Sequence, residues 1–292
     1  MKYYFLINPV AGNENEKNKL QEYIKEVCDN NKLDYEIYLT KGKKDATRFT
    51  LEHKDEDCCV FACGGDGTVN EVINGAINGK VSVAIYPCGS GNDFVKMFKD
   101  SLDLNKLVNQ KGRKIDTIKV GDIYAVNVVN IGFDSAVNGS VDRYKKRFKV
   151  STAYNISIVT NLLKRINHKY KIYLDDEEVE DGKFLLMSLG NGSYYGGGFK
   201  CAPRAKLDDG LIEFCAVRKV TRLTLAKLIK VYKEGTHLEN PKFKKYILYR
   251  QCKKVRIVAD KMFSVTIDGE NIKTNVLEAS IDANSLNLIY ND

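Results

Sequence analysis

The stretch Cys58–Glu71, CCVFACGGDGTVNE, constrains this chain more than any other. Its first half, Cys58 to Cys63, is a short apolar run of the kind that forms a strand buried on both faces, and it breaks at Gly64 and Gly65. From Thr68 the apolar positions become Val69, Val72, Ile73, Ala76 and Ile77, the spacing of one helical face. The stretch therefore reads as strand, glycine turn, helix. Main-chain N–H groups and the positive end of the helix dipole meet at such a turn, which suits phosphate oxygens. Asp66 is the odd member, because a carboxylate beside phosphates repels them unless a cation lies between; this points to Mg²⁺, held directly or through its water.

The neighbouring segments repeat the unit. Lys2 to Asn8 reads as a buried strand, followed by the loop Asn8-Pro9-Val10-Ala11-Gly12 and a helical pattern at Leu20, Tyr23, Ile24 and Val27. Asp34 to Leu39 alternates as a second strand ending at Thr40, and Asp45 to Leu51 gives a second helix. A fourth strand, Val81 to Tyr86, stops at Pro87. Strands alternating with helices predict a doubly wound parallel α/β domain, whose ligands lie beyond the carboxyl ends of the strands. Three loops fall there: NPVAG, GGDGT and PCGSGNDF, residues 87–94.

Beyond the polar segment Lys106 to Arg113, Lys114 to Val120 and Ile123 to Val129 read as a hairpin about Gly121-Asp122, and the domain boundary is placed here, giving domains 1–113 and 114–292. From Lys169 the period falls to two, so the second domain is expected to be mostly antiparallel β. Ile267-Asp268-Gly269-Glu270 carries an Asp-Gly hairpin signal. The basic run Arg143–Lys149, RYKKRFK, precedes an apolar-patterned helix over Val150–Ile166. It reads either as a solvated turn or as a membrane-docking segment with Tyr144 and Phe148 as anchors.

A chain of 292 residues with 43% hydrophobic content can bury two cores. Its net charge of +8, from 46 basic and 38 acidic residues, is compatible with an anionic membrane or a nucleotide. No finger, RNP-like or recognition-helix pattern supports nucleic acid. The eight cysteines sit mostly in apolar runs and read as reduced thiols, and His53, His168 and His237 lie too far apart for a zinc motif. No apolar run approaches the length of a membrane span and no leader pattern opens the chain, so a cytoplasmic protein is expected. No P-loop GxxxxGK[ST] occurs.

Gly64-Gly65-Asp66-Gly67-Thr68 with Asn70-Glu71 resembles the GGDGT-x-NE signature of the diacylglycerol kinase catalytic family, which includes bacterial lipid kinases and sphingosine kinases. PxGSGNDF resembles the same family's next element, and the stretch Asn191-Gly192, Gly196-Gly197-Gly198, Ala202-Pro203 and Leu207–Leu211 resembles bacterial lipid kinases. The resemblance implies a C-terminal β-sandwich and an active site in the interdomain cleft. It implies nucleotide contacts from Asn8, Pro9, Gly12, Thr40, Gly64, Gly65, Asp66, Gly67, Thr68, Asn70, Glu71 and Ser90. Asp66 and Asp93 would be catalytic, with Asp116 in a carboxylate cluster near the metal, although Asp116 reads equally as a solvated strand residue. Glu270 would be the general base. A structural Mg²⁺ would sit at Asp209 with Lys206 and Leu211. ATP, catalytic Mg²⁺ and a membrane lipid, diacylglycerol first, are then the expected partners, with peripheral contact at the inner membrane face and a homodimer. NAD kinases share the GGDGT core and remain an alternative reading. So does a nucleotide-binding regulator without turnover, suggested by the acidic stretch Asn13–Glu16.

Overall fold

A computed structural model describes residues 1–9, 14–88, 92–98, 103–132 and 169–291. The expected sites at Gly12 and Ser90, the basic run 143–149 and the helix expected over 150–166 lie outside the described residues.

The chain forms two units, residues 1–116 with 283–292, and residues 117–282. A single cut at residue 113 does not describe this, because the chain leaves the first unit and returns to it. The return has a physical cause in the last strand, β15 (Glu270–Ile289), whose final residues pair in parallel with β4 (Ser82–Pro87), Asn287 to Ile289 against Ser82 to Ala84.

In the first unit, β1 (Lys2–Ile7), β2 (Asp34–Leu39), β3 (Cys58–Gly64) and β4 are all parallel, in the order β4-β3-β1-β2. The order reverses between β1 and β3, so the crevice where such sheets bind ligands opens at the carboxyl ends of those two strands, at Asn8 and Gly64. All seven residues of β3 are buried. On one face Phe5 stacks on Phe61 at 4.6 Å, covered by Ile24, Val27 and Cys28 of α1 (Glu14–Asn30) and by Leu104 and Leu107 of α4 (Leu104–Val108). The other face takes Phe49 of α2 (Asp45–Glu52), whose ring meets Tyr4 edge-on at 5.2 Å, and α2 packs on α3 (Asp66–Ala76). The apolar spacing read from the sequence is thus the packing face of each helix.

The second unit is the expected antiparallel β-sandwich. Around β7 (Val128–Gly132) lie β9 (Glu177–Gly190) and β14 (Lys254–Ile267), with β12 (Ile212–Arg218) and β13 (Ile247–Cys252) beyond β9, while the short β10 (Tyr194–Tyr195) and β11 (Phe199–Lys200) pair with each other. The two long strands change partner midway. β9 pairs β8 (Lys169–Leu174) with its first half and β7 and β12 with its second; β14 pairs β8 through Val255–Ala259 and β7 through Val265–Ile267. A register shift between Val258 and Phe263 marks the corner. Tyr170, Phe184, Met187, Ile257 and Val265 fill the core between the layers. The hairpin expected at Gly121-Asp122 joins β5 (Arg113–Val120) to a short β6 (Ile123–Ala125).

Two helices interrupt the expected run of strands. α5 (Arg222–Glu234) and α6 (Pro241–Lys244) cover the outer face of the sheet, with Leu225, Leu228, Tyr232 and Phe243 packed on Leu186, Cys215 and Val217. Local signals for α5 were present: Thr221 accepts the Thr224 N–H as N-cap, and Gly235, at φ 75°, ends the helix.

Candidate active site

In the first unit the loops that leave β1, β3 and β4 meet. Asn8 Nδ2 donates to Thr68 Oγ1 at 3.4 Å, and Cys88 N–H donates to the Gly64 carbonyl at 3.0 Å. Gly65 is the N-cap of α3, its carbonyl taking the Val69 N–H at 3.1 Å, so the next N–H groups of the first turn face outward with the helix dipole behind them. Glycine is required at position 64 because a Cβ there would overlap the Thr68 side chain. At Gly67 the space above the turn is open, a Cβ meeting nothing within 4 Å.

The Asp66 carboxylate accepts the main-chain N–H groups of Asn92 and Asp93, which joins GGDGT to GNDF. Asp66 as a residue stays exposed, yet its carboxylate lies where lost hydration is the largest influence on it. Next comes the negative charge of Asp93; together they raise the Asp66 pKa above the ordinary carboxylate value, against the weaker pull of the two N–H groups and Lys96. Asp93 is buried at 5% exposure and ion-paired to Lys96, a residue that motif reading passed over. Two carboxylates held this close suit a divalent cation, whose charge would relieve their repulsion.

The other expected contacts are distributed unevenly. Asn70 is buried, and among the described residues its Nδ2 has no hydrogen-bond partner, an orphan donor in the first turns of α3. Together with the open space over Gly67, that donor fits an anionic ligand. Thr40 is buried and its hydroxyl lies 3.5 Å from the Ile7 carbonyl. Glu71 accepts the Lys44 N–H at 2.9 Å, clasping the start of α2 to α3. Asp116 is buried at 1% exposure, not solvated, and accepts the Asn284 N–H at 2.8 Å. Among the described residues no three His, Cys, Asp or Glu side chains converge on one point, so Asp66, Asp93 and Asp116 do not form a joint carboxylate cage.

In the second unit, Asp209 Oδ1 accepts the Leu211 N–H at 3.1 Å, and Gly210 sits at φ 69° between them. This is an Asx turn, with one carboxylate oxygen folded back on its own main chain. Asp268 and Gly269 both have positive φ, 43° and 96°, with Ile267 paired to Glu270, so D-G-E is a two-residue type I′ hairpin. Glu270 is exposed at its tip.

Asp268 has a role that the turn motif alone did not reveal. Its carboxylate accepts the N–H groups of Val126, Asn127 and Val128 at 2.7, 3.2 and 2.8 Å. The same corner is gripped from the other side, by Asn191 Nδ2 on the Val126 carbonyl at 2.8 Å and by the N–H groups of Asn191 and Gly192 on the Asn127 carbonyl. Glu270 is therefore one turn away from a carboxylate locked into main chain.

Residues 2–123 match the family profile of the diacylglycerol kinase catalytic domain, and residues 127–290 match that of the YegS C-terminal NAD kinase beta sandwich-like domain. Over 97% of its length the chain is 28% identical to the diacylglycerol kinase of Staphylococcus carnosus, covering 91% of that protein. It is 32% identical, over 72% of its length and 69% of the relative's, to the "Probable lipid kinase YegS-like" of Chromohalobacter salexigens. Among solved structures, a chain described as "a putative diacylglycerol kinase from Bacillus anthracis str. Sterne" superposes with a TM-score of 0.79 at 26% identity, covering 99% of this chain and 97% of that one.

Proposed function

Because this chain belongs to the diacylglycerol kinase family of lipid kinases, we propose that it transfers the γ-phosphate of ATP to a lipid hydroxyl in an Mg²⁺-dependent reaction, with diacylglycerol as acceptor and phosphatidic acid as product. The observation that carries the reading is the junction of GGDGT and GNDF, where Asp66 is held against Asn92 and Asp93 at the mouth of a phosphate-facing helix.

The N–H groups of the first turn of α3 and the Asn70 amide hold phosphate oxygens, and Asn8 and Thr68 fix the turn that presents them. Asp66, with Asp93 beside it, would hold Mg²⁺, which supplies neutralising charge to the transferring phosphoryl group. A second Mg²⁺ at Asp209, with the carbonyls of Lys206 and Leu211, would stiffen the turn before β12. In the transfer the lipid oxygen bonds to the γ-phosphorus while the bond from that phosphorus to the bridging oxygen of ADP breaks. The hydroxyl proton passes to the Glu270 carboxylate. Phosphoryl transfer asks the protein mainly for positioning and charge stabilisation, and these residue types supply both.

The test is transfer from labelled ATP with Mg²⁺ to diacylglycerol, undecaprenol, ceramide and NAD, beside Asp66→Ala and Glu270→Gln. A labelled lipid is expected, with kcat lowered about 10²- to 10⁴-fold in Glu270→Gln, the range of general acid–base contributions. Labelled NADP would overturn the lipid reading, and ATP binding with no labelled product would replace it with a nucleotide-binding regulator.

A further inference from the structure

The charge of the second unit is concentrated. Residues 222–245 hold seven basic and two acidic side chains, a net +5 of the chain's +8. They form α5, α6 and the link between them, and both helices turn their apolar side chains to the same sheet face. Their other sides therefore make one outer surface. On α5 Lys227 and Lys230 lie on the face opposite Leu225, Leu228 and Tyr232, with Arg222 and Lys233 at its flanks, all four exposed, and on α6 Lys244 is exposed. Among the described residues Lys227, Lys230 and Lys244 make no ion pair.

Two details are at odds with a merely solvated helix. The first turn of α5 has no acidic residue and begins with Arg222, a cation at the end where the helix dipole disfavours one. Beside it Leu223 is 80% exposed, the most exposed of the large apolar side chains among the described residues. Cations around a protruding leucine on a helix lying flat over its sheet fit an anionic bilayer, with the leucine entering the interface and the lysines meeting phosphate headgroups.

We infer that the outer face of α5 and α6 docks this protein on an anionic lipid surface. The inference rests on the lipid-kinase reading in one respect, that an enzyme with a membrane-resident acceptor gains from being held at the bilayer; the charge and the exposed leucine stand without it. The occupant is the bilayer itself, recognised by its surface charge and not by the substrate headgroup.

The test is sedimentation of the full chain with phosphatidylglycerol-containing vesicles and with pure phosphatidylcholine vesicles. Lys227→Gln/Lys230→Gln/Lys244→Gln and Leu223→Ser are compared with the unaltered protein. Each basic group near such a surface contributes about 1 kcal/mol, so the triple variant is expected to bind phosphatidylglycerol vesicles roughly 100-fold more weakly, and Leu223→Ser several-fold more weakly. The unaltered protein should bind phosphatidylcholine poorly. Phosphate transfer to a water-dispersed short-chain diacylglycerol, without vesicles, should be the same in all forms. Equal binding of both vesicle types, or undiminished binding by the triple variant, would overturn the inference. So would retention on RNA without vesicle binding, which would assign the surface to nucleic acid. Vesicle binding that follows these variants while no form phosphorylates any lipid would leave the docking surface standing and remove the kinase reading.

Discussion

At the scale of single residues, close packing and local charge set what the GGDGT turn tolerates. A methyl group at Gly64 would displace the Thr68 side chain, which Asn8 holds from β1. Gly64→Ala is therefore expected to cost about 1–3 kcal/mol, the usual range for an overpacked site, and to weaken nucleotide binding as well; urea unfolding and ATP titration read the two effects separately. Asp268→Ala acts differently. It removes a carboxylate that three main-chain N–H groups share. A loss of about 2–4 kcal/mol is expected from the unpaired donors, with Asp268→Asn recovering part of it. An unfolding midpoint unchanged in Asp268→Ala would show that water replaces the carboxylate. The sequence made Asp66 stand out, because an acid among glycines after a buried strand has few ordinary uses; Asp93 and Asp116 were singled out only by the family resemblance, and Asp116, inside a strand, read equally as a solvated residue. The sequence did not reveal the clamp at Asp268, whose partners lie about 140 residues earlier in the chain. A local pattern reports the turn that Asp-Gly favours, and no spacing rule reports what the aspartate reaches.

At the scale of elements, periodicity carried most of the information. β1 to β4 and their helices are found where the alternation of strand-like and helical spacing put them, because a strand buried on both faces and a helix buried on one leave different apolar patterns. α5 escaped that reading. Its core positions Leu225, Leu228 and Tyr232 are helically spaced, but they sit among strands of period two and carry lysines between them. The caps were the better signal. Thr221→Ala should cost about 1 kcal/mol through the lost N-cap bond. Gly235→Ala should cost at least as much, since φ is 75° there and the new methyl would press on the Lys200 side chain. A helix that frays in either variant should also lose vesicle binding, which links the stability of α5 to the surface it presents.

At the scale of the whole molecule, acid is the condition expected to separate its parts. His237 is fully buried beneath α5, with the Tyr232 ring 4.6 Å away and Cys215 Sγ 3.8 Å from its Nε2. Burial depresses its pKa from 6.5 to about 4, with the main chain of Cys201 and Val231 acting weakly the other way. The unfolded chain therefore takes a proton on His237 below about pH 6.5 while the folded one refuses it until about pH 4. More protons bound in the unfolded state means that stability rises with pH, so acid removes it across that window, by about 3 kcal/mol. The carboxylates enter later. Asp45, depressed first by the Lys41 N–H, and Glu180, depressed first by Arg218, contribute stability above their unfolded pKa values of 3.8 and 4.5 and lose it below. Asp66 works in the opposite sense, since its raised pKa favours the folded state as the carboxyl takes up its proton. The urea midpoint should thus fall between about pH 6.5 and 4.5, before most carboxylates titrate, and His237→Gln should flatten that part of the curve. A midpoint that falls equally in His237→Gln would place the acid sensitivity elsewhere. If only the β unit melts in that window while ATP still binds, the histidine beneath α5 makes that unit the acid-labile half.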